Sequence, residues 1–224
     1  MEFKNNKNSK VSRRDFLKTS AAVSVAAVTV GSYSVYAGGN EELKVALIGC
    51  GGRGKGALKD YHDAAKMIGP SVKVIAVADV QKDRAEAVAE QYNVPSDHIF
   101  TTFDGYKNVM ATDAEYVLIA TSPNFRPVHF EAAVQANKHV FMEKPVAVDP
   151  PGIRRIIAAS EIAKNKGLCV VAGTQRRHQK PYLETFLAIQ QGAIGRILSA
   201  RVWWCTGQLW YKEKQPGESD SSYM

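Results

Sequence analysis

Four closely spaced glycines constrain the fold of this chain more than any other feature, because they lie between a predicted strand and a predicted helix. Residues 49–54 are Gly-Cys-Gly-Gly-Arg-Gly, with an apolar strand pattern at 43–48 before them and a helical pattern at 55–67 after them. In such a unit, Gly49 permits the tight turn, Gly51 lets the backbone approach a pyrophosphate, and Gly54 lets the helix pack on the strand. The free N–H groups at the helix start favour phosphate. The segment therefore predicts a dinucleotide-binding turn.

Strand and helix patterns alternate after this turn. Between helical stretches, strand patterns lie at residues 72–78, 99–102, 113–121, 139–142 and 168–172. Such alternation is typical of a parallel sheet with helices on both faces. We therefore expect an α/β fold with a Rossmann-type doubly wound parallel sheet at residues 41–174. The start of an incomplete α/β C-terminal domain is expected at 175–224, with its first strand at 197–204.

Asp79 ends the second strand pattern, 25 residues after Gly54. In dinucleotide-binding folds, an acidic residue roughly 20 residues after the glycines accepts hydrogen bonds from the ribose hydroxyls. A carboxylate there repels a 2′-phosphate, so Asp79 favours NAD over NADP, although Lys82 and Arg84 keep NADP open as a cofactor. The alternative is that Asp79 caps the helix predicted at 82–92.

The basic charge of the chain is concentrated at its N-terminus. Lys and Arg number 29 against 22 Asp and Glu, which gives a net charge of +7. Residues 1–18 contain six of the basic and two of the acidic residues and carry +4 of that charge. The remainder is nearly balanced and contains no basic–aromatic motif, so binding to nucleic acid is not supported.

Residues 1–37 have the three parts of an export signal. A basic start is followed by an apolar stretch at 19–37 that ends in a small residue, Ala37. The segment 12–18, Ser-Arg-Arg-Asp-Phe-Leu-Lys, is similar to the twin-arginine export motif. We predict a signal peptide at 1–37, recognition by the twin-arginine (Tat) export machinery and a periplasmic location. The alternative is an uncleaved leader that anchors the protein in the membrane.

Glu143-Lys144-Pro145 follows the strand pattern at 139–142, at the carboxyl edge of the predicted sheet. Ligands of open parallel sheets bind at this edge. Lys144 can donate a hydrogen bond to a hydroxyl or carbonyl oxygen of a substrate and can stabilise a developing alkoxide. Pro145 limits the backbone freedom of the lysine. The alternative is a surface lysine at a strand end.

Together these segments resemble the Gfo/Idh/MocA oxidoreductases. The resemblance extends from Val45 to about Trp204, and its most specific part is the spacing from Ser122-Pro123-Asn124 through His129 to Glu143-Lys144-Pro145. It implies a nicotinamide-dependent dehydrogenase that acts on sugars, polyols or related hydroxyl compounds. It also implies an N-terminal Rossmann domain and a C-terminal α/β domain that usually builds a homo-oligomer interface.

The resemblance implies roles for individual positions. Lys144 would be the catalytic residue, polarising the reacting carbon–oxygen bond and relaying the hydroxyl proton. The implied cofactor-binding positions are Gly49, Gly51, Gly52, Arg53, Gly54, Asp79, Ser122, Asn124, His129, Glu143, Lys144 and Arg177. For Arg177 the alternative is a basic helix start. We expect no metal site, and we interpret Cys50 as a small packed residue rather than a nucleophile.

Members of this family continue well beyond the equivalent of Met224. We therefore expect this chain to be a fragment that binds NAD but has little dehydrogenase activity alone. Two other functions stay open. One is a glycoside hydrolase that uses NAD in a redox-neutral cycle of oxidation, elimination and reduction, although the triplet at 143–145 favours a dehydrogenase. The other is a non-catalytic dinucleotide-binding sensor.

Overall fold

The computed structural model describes residues 42–205, 207, 213–217 and 219, so the predicted signal peptide lies outside the described residues. The strands are β1 (Glu42–Ile48), β2 (Ser71–Ala78), β3 (Ile99–Phe100), β4 (Tyr116–Ile119), β5 (His139–Met142) and β6 (Val170–Ala172). The α-helices are α1 (Gly52–Ile68), α2 (Lys82–Tyr92), α3 (Gly105–Met110), α4 (Arg126–Gln135), α5 (Pro150–Asn165) and α6 (Lys180–Gln190). Short 3₁₀ helices cover Ser96–His98 and Gln175–Arg177. None of the helices in these ranges has the length and apolar character needed to cross a bilayer.

The six strands form one parallel sheet in the order β3-β2-β1-β4-β5-β6. The order runs outward from β1 to β3 on one side and from β4 to β6 on the other, which confirms the predicted doubly wound Rossmann-type sheet. Ile48 pairs with Ala78 and with Ile119, so β1, β2 and β4 end at the same level. Ligands of such sheets bind where the strand order reverses, here between β1 and β4.

Both faces of the sheet are covered by helices, which is why the central strands are apolar along their whole buried length. On one face, Val45 and Leu47 pack with residues of α1 and α2, including Leu58. On the other face, Ala46 and Ile48 belong to a cluster with residues of α3, α4 and α5. These two apolar layers hold the carboxyl ends of the strands in fixed positions.

Helix α1 begins three residues earlier than the sequence pattern predicts. Its first residue is Gly52 and its N-cap is Gly51, so Arg53 and Gly54 belong to the first helical turn. Glycine has a low helix propensity and adds nothing to an apolar pattern, which explains the late start predicted from the sequence. The turn and the start of the helix therefore share the same glycines.

The strand predicted at 197–204 is not formed. These residues have no regular secondary structure, and Val202, Trp203 and Trp204 are exposed. A strand needs a neighbour to complete its hydrogen bonds, and none of the strands described above lies beside this segment. Helix α6 likewise contains no buried residue. The domain boundary at 174/175 stays a prediction.

Candidate functional site

Two glycines of the β1–α1 turn are required by the protein's own packing. Gly49 has φ +95°, and a Cβ there would lie 2.7 Å from the backbone of Ala120 and Thr121 in the neighbouring strand end. A Cβ on Gly54 would lie 1.8 Å from the carbonyl oxygen of Gly49. No side chain fits at either position, so the turn lies directly against the end of β4.

The other two glycines of the turn face open space. A Cβ on Gly51 would meet only the Arg84 Nη1, at 3.9 Å, and a Cβ on Gly52 would meet nothing within 4 Å. Gly51 is the N-cap of α1, without a side-chain cap, and the first helical turn contains no acidic residue. The N–H groups and the positive end of the helix dipole therefore lie at a cradle that no side chain of these glycines obstructs, which suits the two phosphates of a dinucleotide.

Asp79 lies at the end of β2 with its carboxylate held over the same turn. Its Oδ2 accepts a hydrogen bond of 2.6 Å from the Cys50 N–H, and its Oδ1 accepts one of 2.8 Å from the Gln81 N–H. The N-cap of α2 is Gln81, so Asp79 does not occupy the cap position. Two backbone donors thus fix the orientation of a half-buried carboxylate beside the glycine cradle.

A cleft opens at this edge of the sheet, between the ends of β1, β2 and β4. Five predicted site residues line it: Gly49, Gly51, Asp79, Ser122 and His129. Its wall also contains residues that sequence reasoning did not single out as site residues, namely Thr102, Phe103, Tyr106, Thr121 and Phe125. These residues follow β3 and β4 or lie on α3, so their position after a strand end was the signal that could have identified most of them.

His129 forms a buried wall of the cleft. Its Nδ1 lies 3.2 Å from the Thr121 Oγ1, and its ring stands 4.6 Å from the Tyr106 ring and 6.1 Å from the Phe125 ring. Burial lowers the pKa of His129 to about 4. The imidazole is therefore neutral at pH 7, and it offers the cleft a hydrogen-bonding, aromatic surface without charge.

Glu143 is buried at the end of β5 and is tied to the glycine turn. The Arg53 Nε donates a hydrogen bond of 2.6 Å to the Glu143 Oε1, and this bond is the main reason that the pKa of Arg53 is raised. A Cβ on Gly173, after β6, would lie 2.8 Å from the Glu143 Oε2. Arg53, predicted in the phosphate loop, therefore links that loop to the strand end that carries Lys144.

The remaining predicted site residues lie outside the cleft lining. Lys144 is exposed, follows Glu143 and is joined to Pro145 by a cis peptide bond. Asn124 and Arg177 are also exposed, after β4 and β6 respectively. All three stand at the carboxyl edge of the sheet, because each closely follows a strand of that parallel sheet. The structure brings them to one edge but not into one pocket.

Cys50 is fully buried inside the glycine turn. Burial, with the nearby Asp79 carboxylate, raises the pKa of its thiol to about 12. A thiol with such a pKa is neutral and unreactive at pH 7, as expected for a packed residue. No group of three or more His, Cys, Asp or Glu residues in the described part of the chain could hold a metal ion.

Comparison with known protein families matches two segments of the chain. The oxidoreductase family, NAD-binding Rossmann fold (GFO_IDH_MocA), matches residues 43–174. The signal sequence of the twin-arginine translocation pathway matches residues 10–30, which confirms the predicted twin-arginine motif.

Two curated relatives illustrate the similarity. The inositol 2-dehydrogenase of Salmonella typhimurium is 31% identical to this chain over 157 residues, which cover 70% of the chain and 44% of the relative. The inositol 2-dehydrogenase/D-chiro-inositol 3-dehydrogenase of Shouchella clausii is 33% identical over 160 residues, covering 71% and 43%. The chain therefore spans less than half the length of these relatives.

A solved structure shows the same fold. The scyllo-inositol dehydrogenase from Lactobacillus casei, with bound NAD(H) and scyllo-inositol, superposes with a TM-score of 0.58 at 23% identity. The match covers 69% of this chain and 43% of that chain. At this identity the likeness concerns the Rossmann-type architecture.

Proposed function

Because this chain belongs to the Gfo/Idh/MocA oxidoreductase family, we propose that it binds NAD in the cleft at Gly51 and Asp79 and transfers hydride to or from a hydroxyl-bearing carbon. The proposed substrate is a polyol or a sugar, the class to which the inositol of the curated relatives belongs. One observation carries the proposal: the open glycine cradle and the oriented Asp79 carboxylate share a single cleft.

The cofactor proposal follows from the charges around the cleft. The free N–H groups at the start of α1 would hold the pyrophosphate, and Asp79 would accept hydrogen bonds from the ribose hydroxyls. Because a carboxylate repels a 2′-phosphate, NAD is the proposed cofactor. The Arg84 side chain also lines the cleft and would favour the 2′-phosphate of NADP, so NADP is the secondary ligand. Ser122, Asn124, His129 and Arg177 are proposed on the nicotinamide side.

Lys144 is the proposed catalytic residue. A bound nicotinamide ring supplies the hydride acceptor or donor at its C4. In the direction of reduction, the Lys144 Nζ would donate a hydrogen bond to the carbonyl oxygen, stabilise the negative charge that develops there, and then give that oxygen its proton. In the direction of oxidation, the Nζ amine would accept the same proton from the hydroxyl as hydride leaves the carbon. Glu143 would orient this region through its bond to Arg53 rather than exchange protons, because its carboxylate is buried and already accepts from the arginine.

Location and assembly complete the proposal. Residues 1–37 would direct the protein through the Tat machinery to the periplasm, consistent with the signal-sequence match at 10–30. Twin-arginine export carries folded proteins, so the cofactor would be loaded before crossing. We further propose a small carbohydrate or polyol as the substrate, a homo-oligomer as the form of the full-length protein, and no role in nucleic-acid binding.

Calorimetric titration of the 224-residue chain with NAD tests the cofactor site. We expect saturable binding by the wild type, and binding weakened at least about tenfold in Gly51→Val, because a Cβ there meets only the Arg84 Nη1, at 3.9 Å, and the new side chain would stand in the phosphate cradle. The matched control is Ala193→Val, an exposed position in the turn after α6. Equal affinity in the wild type and Gly51→Val would contradict the assigned cradle.

A turnover assay of the complete gene product with inositols and sugars tests the reaction. We expect reduction of NAD by at least one of these compounds and its loss in Lys144→Met, since the proposed proton carrier is removed. The 224-residue chain, assayed in parallel, is expected to bind NAD with little turnover. Release of a sugar from an aryl glycoside without net NADH would instead identify the redox-neutral hydrolase.

A further inference from the structure

Arg126 is a buried arginine with an unusual set of contacts. It is the first residue of α4, and only 6% of its surface is exposed. Its Nη1 donates a hydrogen bond of 2.5 Å to the carbonyl oxygen of Pro145. Its Nε is buried and has no hydrogen-bond partner among the described residues. Arg126 has no part in the proposed binding of NAD or in the proposed transfer of hydride.

The burial of Arg126 does not favour the stability of the fold. No carboxylate among the described residues lies within ion-pair distance of it, and the first turn of α4 contains no acidic residue. A cation at the start of a helix is also repelled by the positive end of the helix dipole. Burial accordingly lowers the pKa of Arg126, an effect that the Glu143 charge only partly opposes. An apolar side chain of similar size would be at least as stable there.

The hydrogen bond to Pro145 places Arg126 beside the proposed catalytic lysine. Lys144 has its two chain neighbours held by two different arginines: Glu143 by Arg53 and Pro145 by Arg126. The Lys144 side chain itself is exposed and makes no hydrogen bond or ion pair with the described residues. Its position is therefore set by its backbone, which Arg126 contacts directly at the Pro145 carbonyl and which Arg53 reaches only through the Glu143 side chain.

The start of α4, from which Arg126 contacts Pro145, is fixed by its packing against the start of α5. Pro127 follows Arg126 and is buried against the start of α5, where a Cβ on Gly152 would lie 3.1 Å from the Pro127 Cγ. The Asp149 Oδ1 caps α5 by accepting a hydrogen bond of 2.7 Å from the Gly152 N–H. Because the two helix starts interlock, the guanidinium of Arg126 extends toward Pro145 from a fixed point.

We propose that Arg126 is a positioning residue, whose bond to the Pro145 carbonyl holds the backbone of Lys144 in place for the reaction at the substrate oxygen. This inference rests on the proposed function for the catalytic role of Lys144. The order of the Lys144 backbone can be measured without an assay of turnover.

The first test measures backbone order in the 224-residue chain by ¹⁵N relaxation. In Arg126→Met we expect the order parameter of the Lys144 amide to fall from about 0.85 to below about 0.6. The midpoint of urea unfolding is expected to stay equal or to rise, because an unfavourably buried cation is removed. Arg155→Met is the matched control, since Arg155 is half-exposed on α5 and pairs with Glu131 of α4; it should leave Lys144 ordered.

Two results would overturn the proposal. One is a Lys144 order parameter that does not change in Arg126→Met. The other is a loss of order that is equal in Arg126→Met and Arg155→Met, because this would reflect general loosening of α4. Arg126→Gln, which is neutral and too short to reach Pro145, replaces the methionine variant if that variant does not fold, with the same expectations.

The second test uses turnover of the complete gene product. Arg126→Met is expected to lower kcat by about 10- to 100-fold while KM for NAD changes by less than about twofold, because a displaced lysine affects the reaction and not the cofactor cleft. An unchanged kcat would overturn the positioning role. If the wild type and Lys144→Met have equal turnover, the proposed function fails, and the order parameter still decides whether Arg126 holds Lys144.

Discussion

The two halves of the sheet's carboxyl edge differ in how their functional groups are held. At the β1–β2 half, Gly49 and Gly54 are fixed by direct backbone contact, and Asp79 accepts two backbone hydrogen bonds. At the β5–β6 half, Lys144 and Arg177 are exposed side chains on anchored backbone. The groups of the first half are therefore held by contacts within the protein, whereas the side chains of Lys144 and Arg177 extend into solvent.

The largest effect that this comparison predicts is at Gly54. In Gly54→Ala the new methyl group would lie 1.8 Å from the Gly49 oxygen, so the turn and the helix must separate. We expect the free energy of unfolding to fall by about 4 kcal/mol or more. In the control Gly52→Ala, with nothing within 4 Å, it should change by less than about 1 kcal/mol. Urea unfolding measures both, and equal losses would show that the turn is not close-packed.

The second prediction concerns the pH dependence of stability through His129. Its pKa is about 4 in the folded protein and about 6.5 when unfolded, so the unfolded state binds more protons between these values. Stability is therefore lost as the pH falls from about 6.5 to about 4. Between pH 7 and pH 4.5 we expect His129 to account for about 2 kcal/mol of this loss.

Comparison of variants isolates this contribution from the carboxylates that titrate in the same range. His129→Phe should lose about 2 kcal/mol less than the wild type between pH 7 and pH 4.5, in urea unfolding at each pH. His178→Gln is the control, because His178 is exposed and should behave as the wild type. Parallel pH profiles for the wild type and His129→Phe would contradict a buried, neutral imidazole.

The third prediction sharpens the role of Asp79. Asp79→Asn keeps an oxygen acceptor for one backbone N–H but removes the negative charge. We expect affinity for NAD to fall by about tenfold, or about 1.4 kcal/mol, while affinity for NADP falls less or rises. Titration calorimetry with both cofactors gives the ratio. A ratio that stays constant would mean that Asp79 does not contact the ribose that bears the 2′ substituent.

The smallest effect is predicted in α6, the helix that follows β6. Phe186 is 58% exposed, and Phe186→Ser is expected to change the free energy of unfolding of the 224-residue chain by less than about 0.5 kcal/mol. Phe130→Ala, at a fully buried position of α4, should cost about 3–5 kcal/mol. Thermal unfolding of both variants tests this contrast. A large loss in Phe186→Ser would show that α6 packs against the fold in solution.

Local patterns were sufficient to predict the framework of the fold. Alternating strand and helix segments identified the parallel sheet, and the spacing from Gly54 to Asp79 placed an acid beside the glycine turn, where the structure has it. These features depend on neighbours in sequence or on the general rule that parallel strands end at one edge. The prediction of a strand at 197–204 failed because alternation shows which side chains share a face, not whether a partner strand exists.

The contacts that organise the site could not be predicted from the sequence. Arg53 and Glu143 are 90 residues apart, and Arg126 and Pro145 approach each other only because α4 starts beside the end of β5. Likewise, Tyr106 reaches the cleft from α3 because β3, which precedes this helix, lies at the edge of the sheet next to β2. Such pairings depend on the packing of whole elements, and no local pattern encodes them.

The burial of Cys50 has a practical consequence for spectroscopy. Cys169 and Cys205 are exposed, whereas the Cys50 thiol lies inside the glycine turn with its pKa raised to about 12. A maleimide dye at neutral pH would therefore label the two exposed thiols and spare the cofactor cleft. Cys169 directly precedes β6 and therefore lies at the amino edge of the sheet, opposite the carboxyl edge that carries Lys144, so a fluorophore there would report on the fold of β6 while both halves of the carboxyl edge keep their native chemistry.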